Sequence, residues 1–557
     1  LRLVPAVLVT WSIACAGSLI AAAWSAALAG VLALVVVLLL LRTWRHRRAV
    51  PRARTISATL AVASVLGAAV AVSCAVTANT QEGGPLAKAV AEGNGVLIEV
   101  RITGVPAEVS APGHSGGNRW SVAAGLVKVT SKGSVTQGSA DVMVVGGSAW
   151  QDVQPGQIVR TSGTLKAVRE GQEQAALLSA SSAPVVIASG FDVRQSAAEA
   201  RRQFVAASAW LPSDPAGLMP GMVTGDTSAL PESLEADMKT TGMTHLTAVS
   251  GANCSLLLGG FILLARCLRV SRPVAGAIAV CGLMAFVVLV GPEPSVLRAS
   301  VMGSVGLAAM VGGLRGRSLT FLCVATITLL LLDPSMALNV GFLLSVLATL
   351  GIVLLAARIA SWIPSVVPRW LAAGIAVPLS AQVLCGPVIA ALQPQFTPYA
   401  LITNVVAGPL IAPVTIFGTI AVPLATLFPW LAVVPVAVAG VCAGAVAGIA
   451  RFFAHLPGAA LPWAEGPAGV IAMVALSVVS VAVFWMMLHP TGVMHHVRML
   501  HRAVMLTLER GARGKHGRLE SCNKPSGRNY LWLLPKTPGP RASRQTPSAG
   551  GMPRRLP

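Results

Sequence analysis

Charge is what this chain has least of. Only 11% of its 557 residues are Asp, Glu, Lys or Arg, against 54% apolar residues and a mean hydropathy of +0.73. That is too little charge to solvate a globule of this length, so the chain reads as an integral membrane protein. Leu3 to Leu41 carries no charge at all. At about twice the ~20 residues that cross a bilayer, it is too long for a cleavable signal. It reads as a helical hairpin, Val4 to Ala22 and Ala26 to Leu41, turning near Trp24 and Ser25. No CxxC pair occurs among the nine cysteines, and eight of them (Cys15, Cys74, Cys254, Cys267, Cys281, Cys323, Cys385, Cys442) lie in or beside apolar runs. They read as small membrane-core residues rather than metal ligands. No GxxxxGK[ST] is present either, so the chain carries no phosphate-cradling motor loop of its own.

What charge there is lies in two blocks. Arg42 to Arg54 holds six arginines and no acid, and the segment after His489 holds thirteen Lys/Arg against Glu509 and Glu520. The net charge of +21 is then a topology signal before it is evidence for a polyanionic partner, because cytoplasmic loops collect Lys and Arg. With a cytoplasmic N-terminus, the hairpin returns at Arg42 and Thr55 to Ala78 crosses outward. Thr80 to Thr244 then lies outside, with re-entry near Leu246. Further apolar runs are Val274–Val290, Val296–Val311, Leu319–Leu332, Ala337–Ala357, Leu371–Leu392, Ala400–Leu427, Leu431–Ile449 and Ala468–Leu488. Alternation puts Arg315, Arg317, Arg358 and the C-terminus inside, and Glu293, Asp333 and Glu465 outside. The expected fold is a polytopic α-helical membrane protein of about 12 spans, with Ala400–Leu427 interrupted at Pro409 and Pro413.

Between the leading spans and the rest, Glu82 to Ala188 changes texture. Short β-branched runs (GVLIEVRITGV, DVMVVGG, QIVRTSGTLKAV, APVVIAS) are separated by Gly, Ser and Pro, which predicts a small extracytoplasmic OB-like barrel. A barrel that binds single strands offers a basic groove with stacking aromatics. Here eight Lys/Arg are matched by eight Asp/Glu, and the aromatics before Phe191 are Trp120 and Trp150. A structural or assembly role stays as open as nucleic-acid binding. The implied domains are 1–79 (three spans with a basic loop), 80–190 (β domain), 195–488 (multi-helix membrane domain) and 489–557 (a basic tail expected to be largely disordered). Ser196 to Leu211 reads either as an amphipathic helix in the membrane interface or as a connector helix.

The polar segment Gly221 to Gly251 abuts the apolar helices. Gly225-Asp226-Thr227-Ser228-Ala229-Leu230-Pro231, then Thr241-Gly242 and His245-Leu246-Thr247-Ala248-Val249-Ser250-Gly251, resemble the GD-x-S-x-L-P and TG-x-x-HL-x-x-SG signature of competence permeases of the ComEC/Rec2 type. Gly291 to Ala299 resembles that family's G-x-x-PS-x-x-RA. Asp333-Pro334 followed by Asn339 to Ser345 resembles its DP and VGFQLS. Gln382, Pro387 and Asn404 fall where the family places a Gln, a Pro and an Asn. The resemblance covers most of Gln203 to Leu488 and implies a channel in the bacterial cytoplasmic membrane that imports single-stranded DNA during natural transformation. A separate cytoplasmic motor and an extracytoplasmic DNA receptor would be partners, with no cofactor and no metal. Three departures stand out. Asn253 replaces a usual His, Leu343 replaces a Gln, and no HxHxD-type cluster of a C-terminal metallo-β-lactamase-like domain follows Leu488, so strand degradation is not expected of these residues.

A polyanion crosses hydrocarbon only if water, donors and cations are supplied at depth. The candidate groups are Asp226, Ser228, His245, Ser250, Asn253, Pro294, Ser295, Arg298, Asp333, Gln382 and Asn404, of which Asp226, His245, Ser250, Asn253 and Arg298 fall near the outer face. Arg298 is expected either to meet phosphate or to pair with Asp226, for which His245 is the other candidate partner. Ser250 to Ser255 is expected to break its span, or Ser250 simply to cap a helix, and Asp226 equally begins an ordinary turn. Two other classes stay in view: a transporter or flippase for another polymer, and an intramembrane hydrolase using His245 and Ser250 without an evident third group.

Overall fold

The computed structural model describes residues 3–18, 22–45, 51–82, 95–104, 106–109, 119–131, 134–137, 140–154, 156–166, 176–188, 193–291, 294–311 and 318–489. The first helices are α1 (Val4–Gly17), α2 (Ala22–Arg45) and α3 (Pro51–Glu82). α1 ends at Gly17 and α2 begins at Ala22, so Trp24 and Ser25, expected at the turn of the hairpin, lie inside α2. Gly17-Ser18 is the local helix breaker, whereas Trp24-Ser25 offers no glycine or proline to stop a helix. The long α3 packs along both partners, which barely touch one another.

The β segment folds as β1 (Gly95–Ile102), β2 (Ala107–Val109), β3 (Arg119–Ser131), β4 (Ser134–Gln137), β5 (Asp141–Gly146), β6 (Ile158–Lys166), β7 (Ala176–Ala180) and β8 (Val185–Ala188). Five strands close on themselves in the order β1-β3-β5-β7-β6-β1, antiparallel except for β5 and β7, which run parallel. The alternating apolar residues Val96, Ile98, Val100 and Ile102 of β1 all face the interior, as a period of two demands. Trp150 plugs the barrel against Gly146, where a Cβ would stand 2.1 Å from the indole.

Twelve helices make up the third part among the described residues. The first ten are α4 (Val193–Ser208), α5 (Ser213–Thr224), α6 (Glu232–Thr240), α7 (Gly251–Cys267), α8 (Arg272–Val290), α9 (Pro294–Val311), α10 (Ser318–Leu332), α11 (Val340–Trp362), α12 (Arg369–Leu392) and α13 (Ala400–Leu427). The last two, α14 (Pro429–Ala454) and α15 (Gly466–Leu488), complete the layer. Among the described residues eight helices are long and apolar enough to cross a membrane, and three shorter apolar helices accompany them. This is a polytopic helical membrane protein with a small barrel. The figure of about 12 spans exceeds those eight because runs such as α10, of 15 residues, are short for a crossing.

Proline does not interrupt α13, contrary to expectation: Pro409, Pro413 and Pro423 all lie within one continuous 28-residue helix. In an apolar layer no water rewards unwinding at a proline, so packing against neighbouring helices keeps the helix whole, and the α13–α14 pair is among the most extensive in the fold. One core joins α4, α5 and α6 to α13 and α14 through Phe204, Leu218, Met222, Met238, Val414 and Val436. A second anchors α1 and α3 on α10 and α11, with Trp11 stacked on Phe342 at 5.2 Å. The region from Ser196 therefore forms a helix packed on the bundle, with Phe204 wholly buried. Glu293, Arg315, Arg317 and the tail 490–557 lie outside the described residues.

Candidate functional site

Many of the motif residues build the frame. Gly225, at φ +78°, ends α5, and Gly242, at φ +70°, ends α6. Both need the left-handed region that glycine enters freely. Thr403 of α13 donates to the Thr241 carbonyl at 3.1 Å, tying the TG step to the long proline-bearing helix. Pro231 precedes the first turn of α6, and Pro294 opens α9, where its missing N–H is of no consequence.

Two Asp-x-Ser turns repeat one geometry. Asp226 Oδ1 accepts from the Ser228 amide at 3.0 Å and the Ser228 hydroxyl at 2.6 Å. Asp333 does the same with Ser335, at the same two distances. The plain turn reading of Asp226 thus describes its contacts, and no Asp226–Arg298 or Asp226–His245 pair forms. Asp226 lies near Arg201 of α4, whose guanidinium caps the end of α8 by donating to the Leu289 carbonyl at 2.6 Å. Burial pushes the Arg201 pKa below its usual value, and the nearby Asp226 opposes that shift.

The residues that do come together surround the start of α7. The helix begins at Gly251, after a single 3-10 turn at Thr244–Leu246, so the break in this span lies before Ser250 rather than across Ser250 to Ser255. Ser250 is the N-cap residue, but its hydroxyl turns to Asn253 Oδ1 at 3.4 Å instead of a backbone amide. Asn253 is 3% exposed and pins three elements: its amide donates to the Met222 carbonyl of α5 at 2.9 Å, and its oxygen accepts from Thr415 of α13 at 3.1 Å. Ser295 of α9 donates to the Val249 carbonyl at 2.9 Å, fixing the strand of chain that feeds α7. His245 stands exposed beside this turn and makes no hydrogen bond with Ser250, so the pair a hydrolase would use is not assembled.

Arg298 is the one charge at the centre of this arrangement. It is 6% exposed, and its guanidinium lies against the start of α7, with Nη2 3.4 Å from where a Gly251 Cβ would stand. Its partners are neutral: Nε and Nη2 donate to Ser345 Oγ at 2.9 and 2.6 Å, and Nη1 donates to Thr349 Oγ1 at 2.7 Å and to Met302 Sδ at 3.4 Å. No carboxylate pairs with it among the described residues. Ser345 and Thr349 are one turn apart on α11, so they face the same side. Directly after them α11 loosens into a π-helical turn at Ile352–Ala356, and Gly351 lets the Ser380 carbonyl of α12 approach to 2.3 Å of its absent Cβ.

Gln382 and Asn404 make no hydrogen bond with this cluster among the described residues. Gln382 is half-buried on α12 without a side-chain hydrogen bond among the described residues, and Asn404 donates back to the Ala400 carbonyl of its own helix at 2.7 Å. No group of three or more His, Cys, Asp or Glu able to hold a metal occurs among the described residues.

A second polar junction was not foreseen. Arg451, in the last turn of α14, grips Asp214 with Nε and Nη2 at 2.6 and 2.8 Å, and also reaches Asp237 at 3.2 Å and Ser233 at 3.2 Å. The hydrogen bonds from Arg451 hold the Asp214 carboxyl below the usual carboxylate range. The sequence signals for these sites were a lone arginine near the end of an apolar run and hydroxyls four residues apart inside another.

Comparison with known proteins fits this region. Residues 222–488 match the family model described as Competence protein. ComE operon protein 3 of Bacillus subtilis (strain 168) is 32% identical over 144 residues, which make up 26% of this chain and 19% of that protein. The match thus covers about a fifth of the relative's length. No solved structure matches the chain. With its SG step, its PS-x-x-RA segment and its VGF-x-x-S segment all meeting around Arg298, the helical layer over residues 222–488 is that of the competence protein family, of the ComEC/Rec2 type.

Proposed function

We propose that this protein serves DNA uptake in competence, and that its helical layer is a conduit through which a single DNA strand crosses the bacterial cytoplasmic membrane. The observation that carries the proposal is Arg298: a buried guanidinium held only by neutral groups, beside the first turn of α7. Such a charge within an apolar layer costs about 2.5 to 3.5 kcal/mol on insertion scales. A cation kept at that cost without a carboxylate partner suits a site that meets mobile negative charge, and phosphates arriving one after another are such charge. The partial positive end of α7 adds to the same field.

In this reading Ser345 and Thr349 aim the guanidinium, while Asn253 and Ser295 hold the entry turn in place. The barrel, whose strand order is that of an OB-like fold, lies outside the cytoplasm, and both chain termini lie inside. Drive would come from a separate motor, and duplex capture from a separate receptor. The test is uptake of labelled DNA in cells carrying Arg298→Ala or Asp226→Ala, with membrane abundance measured alongside. Loss of uptake by Arg298→Ala at normal abundance supports the conduit. Normal uptake by that variant removes its central charge, and accumulation of a lipid or glycan in a deletion strain would favour a transporter of another polymer.

A further inference from the structure

Beyond the five strands that close the barrel, β2 and β4 pair with β3, and β8 pairs with β6. β7 and β8 follow one another along the same edge of β6, with β7 opposite Gly163–Lys166 and β8 opposite Ile158–Arg160. β7 also pairs with β5 and completes the barrel, whereas β8 pairs with β6 alone and has no strand on its other edge among the described residues. That strand is apolar on both faces: Val185, Val186 and Ile187 are 62%, 48% and 44% exposed. Three successive exposed aliphatic residues on an edge strand are a hazard in water, and proteins ordinarily blunt such edges with charge or cover them. The patch is bounded on one side by the Arg160–Glu99 ion pair, level with Val185 in the register, so it is a discrete strip.

Chain continuity says what lies next to it. Only residues 189–192 separate Ala188 from Val193, the first residue of α4. Five Cα steps span at most about 17 Å. α4 itself packs on α8 and α13, both of membrane-crossing length, with Phe204 wholly buried among them, and its own first residue, Val193, is 59% exposed. The strip is therefore tethered within one short stride of helices that stand in lipid, and the headgroup zone on each side of a bilayer is itself some 5 to 8 Å deep. β8 has four residues, too few for a durable edge-to-edge union with a second copy.

We propose that β8 is a membrane-docking edge: Val185, Val186 and Ile187 insert into the interfacial region of the adjacent leaflet and hold the barrel against the bilayer, at the mouth of the helical layer. The ligand class is phospholipid, met through its acyl–headgroup boundary, where short aliphatic side chains partition favourably. This holds whichever face of the membrane the barrel occupies, and it does not depend on what passes through the helices.

The test uses the full chain in phospholipid nanodiscs of phosphatidylethanolamine and phosphatidylglycerol, with the photo-reactive residue p-benzoyl-phenylalanine introduced singly at Val186, at Ile187, and at Asp152 as an exposed control on the barrel. After illumination, intact-mass measurement should show protein enlarged by one phospholipid, several-fold more at positions 186 and 187 than at 152. Three outcomes overturn the proposal: a covalent dimer from either edge position, an internal cross-link from the edge to the helical layer in place of lipid, or lipid labelling at 186 and 187 no greater than at 152. Two edge positions guard against a local folding failure at one.

Discussion

Replacing Arg298 with methionine separates a structural role from a functional one. The side chain is 6% exposed, and its three contacts with Ser345 and Thr349 are 2.6 to 2.9 Å long. Polar contacts between membrane helices average about 0.6 kcal/mol each, so losing three costs about 2 kcal/mol. Removing a guanidinium from the apolar layer returns about 2.5 to 3.5 kcal/mol on insertion scales. Methionine fills a similar volume, and Thr349 keeps its bond to the Ser345 carbonyl at 3.0 Å. The sum leaves Arg298→Met as stable as the parent or more stable by about 1 kcal/mol, as replacements of buried charge often are. If that charge meets passing phosphates, uptake of labelled DNA falls by about ten-fold or more, each ~1.4 kcal/mol of lost interaction being a factor of ten. Thermal unfolding in detergent and uptake per unit of membrane-embedded protein are the two assays. Uptake that falls only in step with abundance, or a large loss of melting temperature, would refute the reasoning and make Arg298 a structural pin.

Other expectations follow from the same contacts. Asn253→Ala leaves the Met222 carbonyl and the Thr415 hydroxyl without their partner and should cost about 1 to 3 kcal/mol, read as an earlier unfolding midpoint; an unchanged midpoint would show that water or a neighbour replaces the amide at no cost. Gly242→Ala should cost about 1 to 2 kcal/mol, because φ +70° disfavours a side chain and the new Cβ would stand 2.9 Å from Ala400 Cβ. The Asp214 pKa is depressed, so the stability it contributes is complete above the unfolded value near 3.9 and is lost as pH falls through its lower folded value. Asp214→Asn should therefore unfold earlier than the parent at pH 7, by about 1 to 2 kcal/mol given the partial exposure of both partners, and the gap should close only in strong acid. A gap that is already gone at pH 5 would contradict the assigned direction.

Composition and periodicity were enough for the class of fold, since long uncharged runs have few alternatives in water or lipid. The barrel was legible because β-branched runs alternate in and out, as Val96 to Ile102 do. Helix boundaries were less so: Trp24-Ser25 read as a turn because the apolar run had to be divided somewhere, and the breaker at Gly17-Ser18 carried little weight against hydropathy. Pro409 and Pro413 read as an interruption because their effect in water is to end helices, while packing against α14 keeps α13 whole. The motifs pointed to the stretch that the family model matches, residues 222–488, but not to the contacts within it. Asp226 and Arg298 looked like complementary charges, yet Asp226 is satisfied by Ser228 two residues away, and the partners of Arg298 sit 47 and 51 residues on. Long-range pairing of this kind leaves no local trace, and Ser345 and Thr349 show in the sequence only as two hydroxyls at helical spacing. Arg451 was hidden for a similar reason, since Asp214 and Asp237 precede it by more than 200 residues.

Ionic conductance of the purified chain in a planar bilayer is the most direct test of the conduit. A water-filled path for a strand predicts current above that of bare lipid, with interruptions when single-stranded DNA is driven in by voltage, few or none with blunt duplex, and fewer with Arg298→Met. Folded, bilayer-inserted protein that carries no current, or current indifferent to single-stranded DNA, would contradict it.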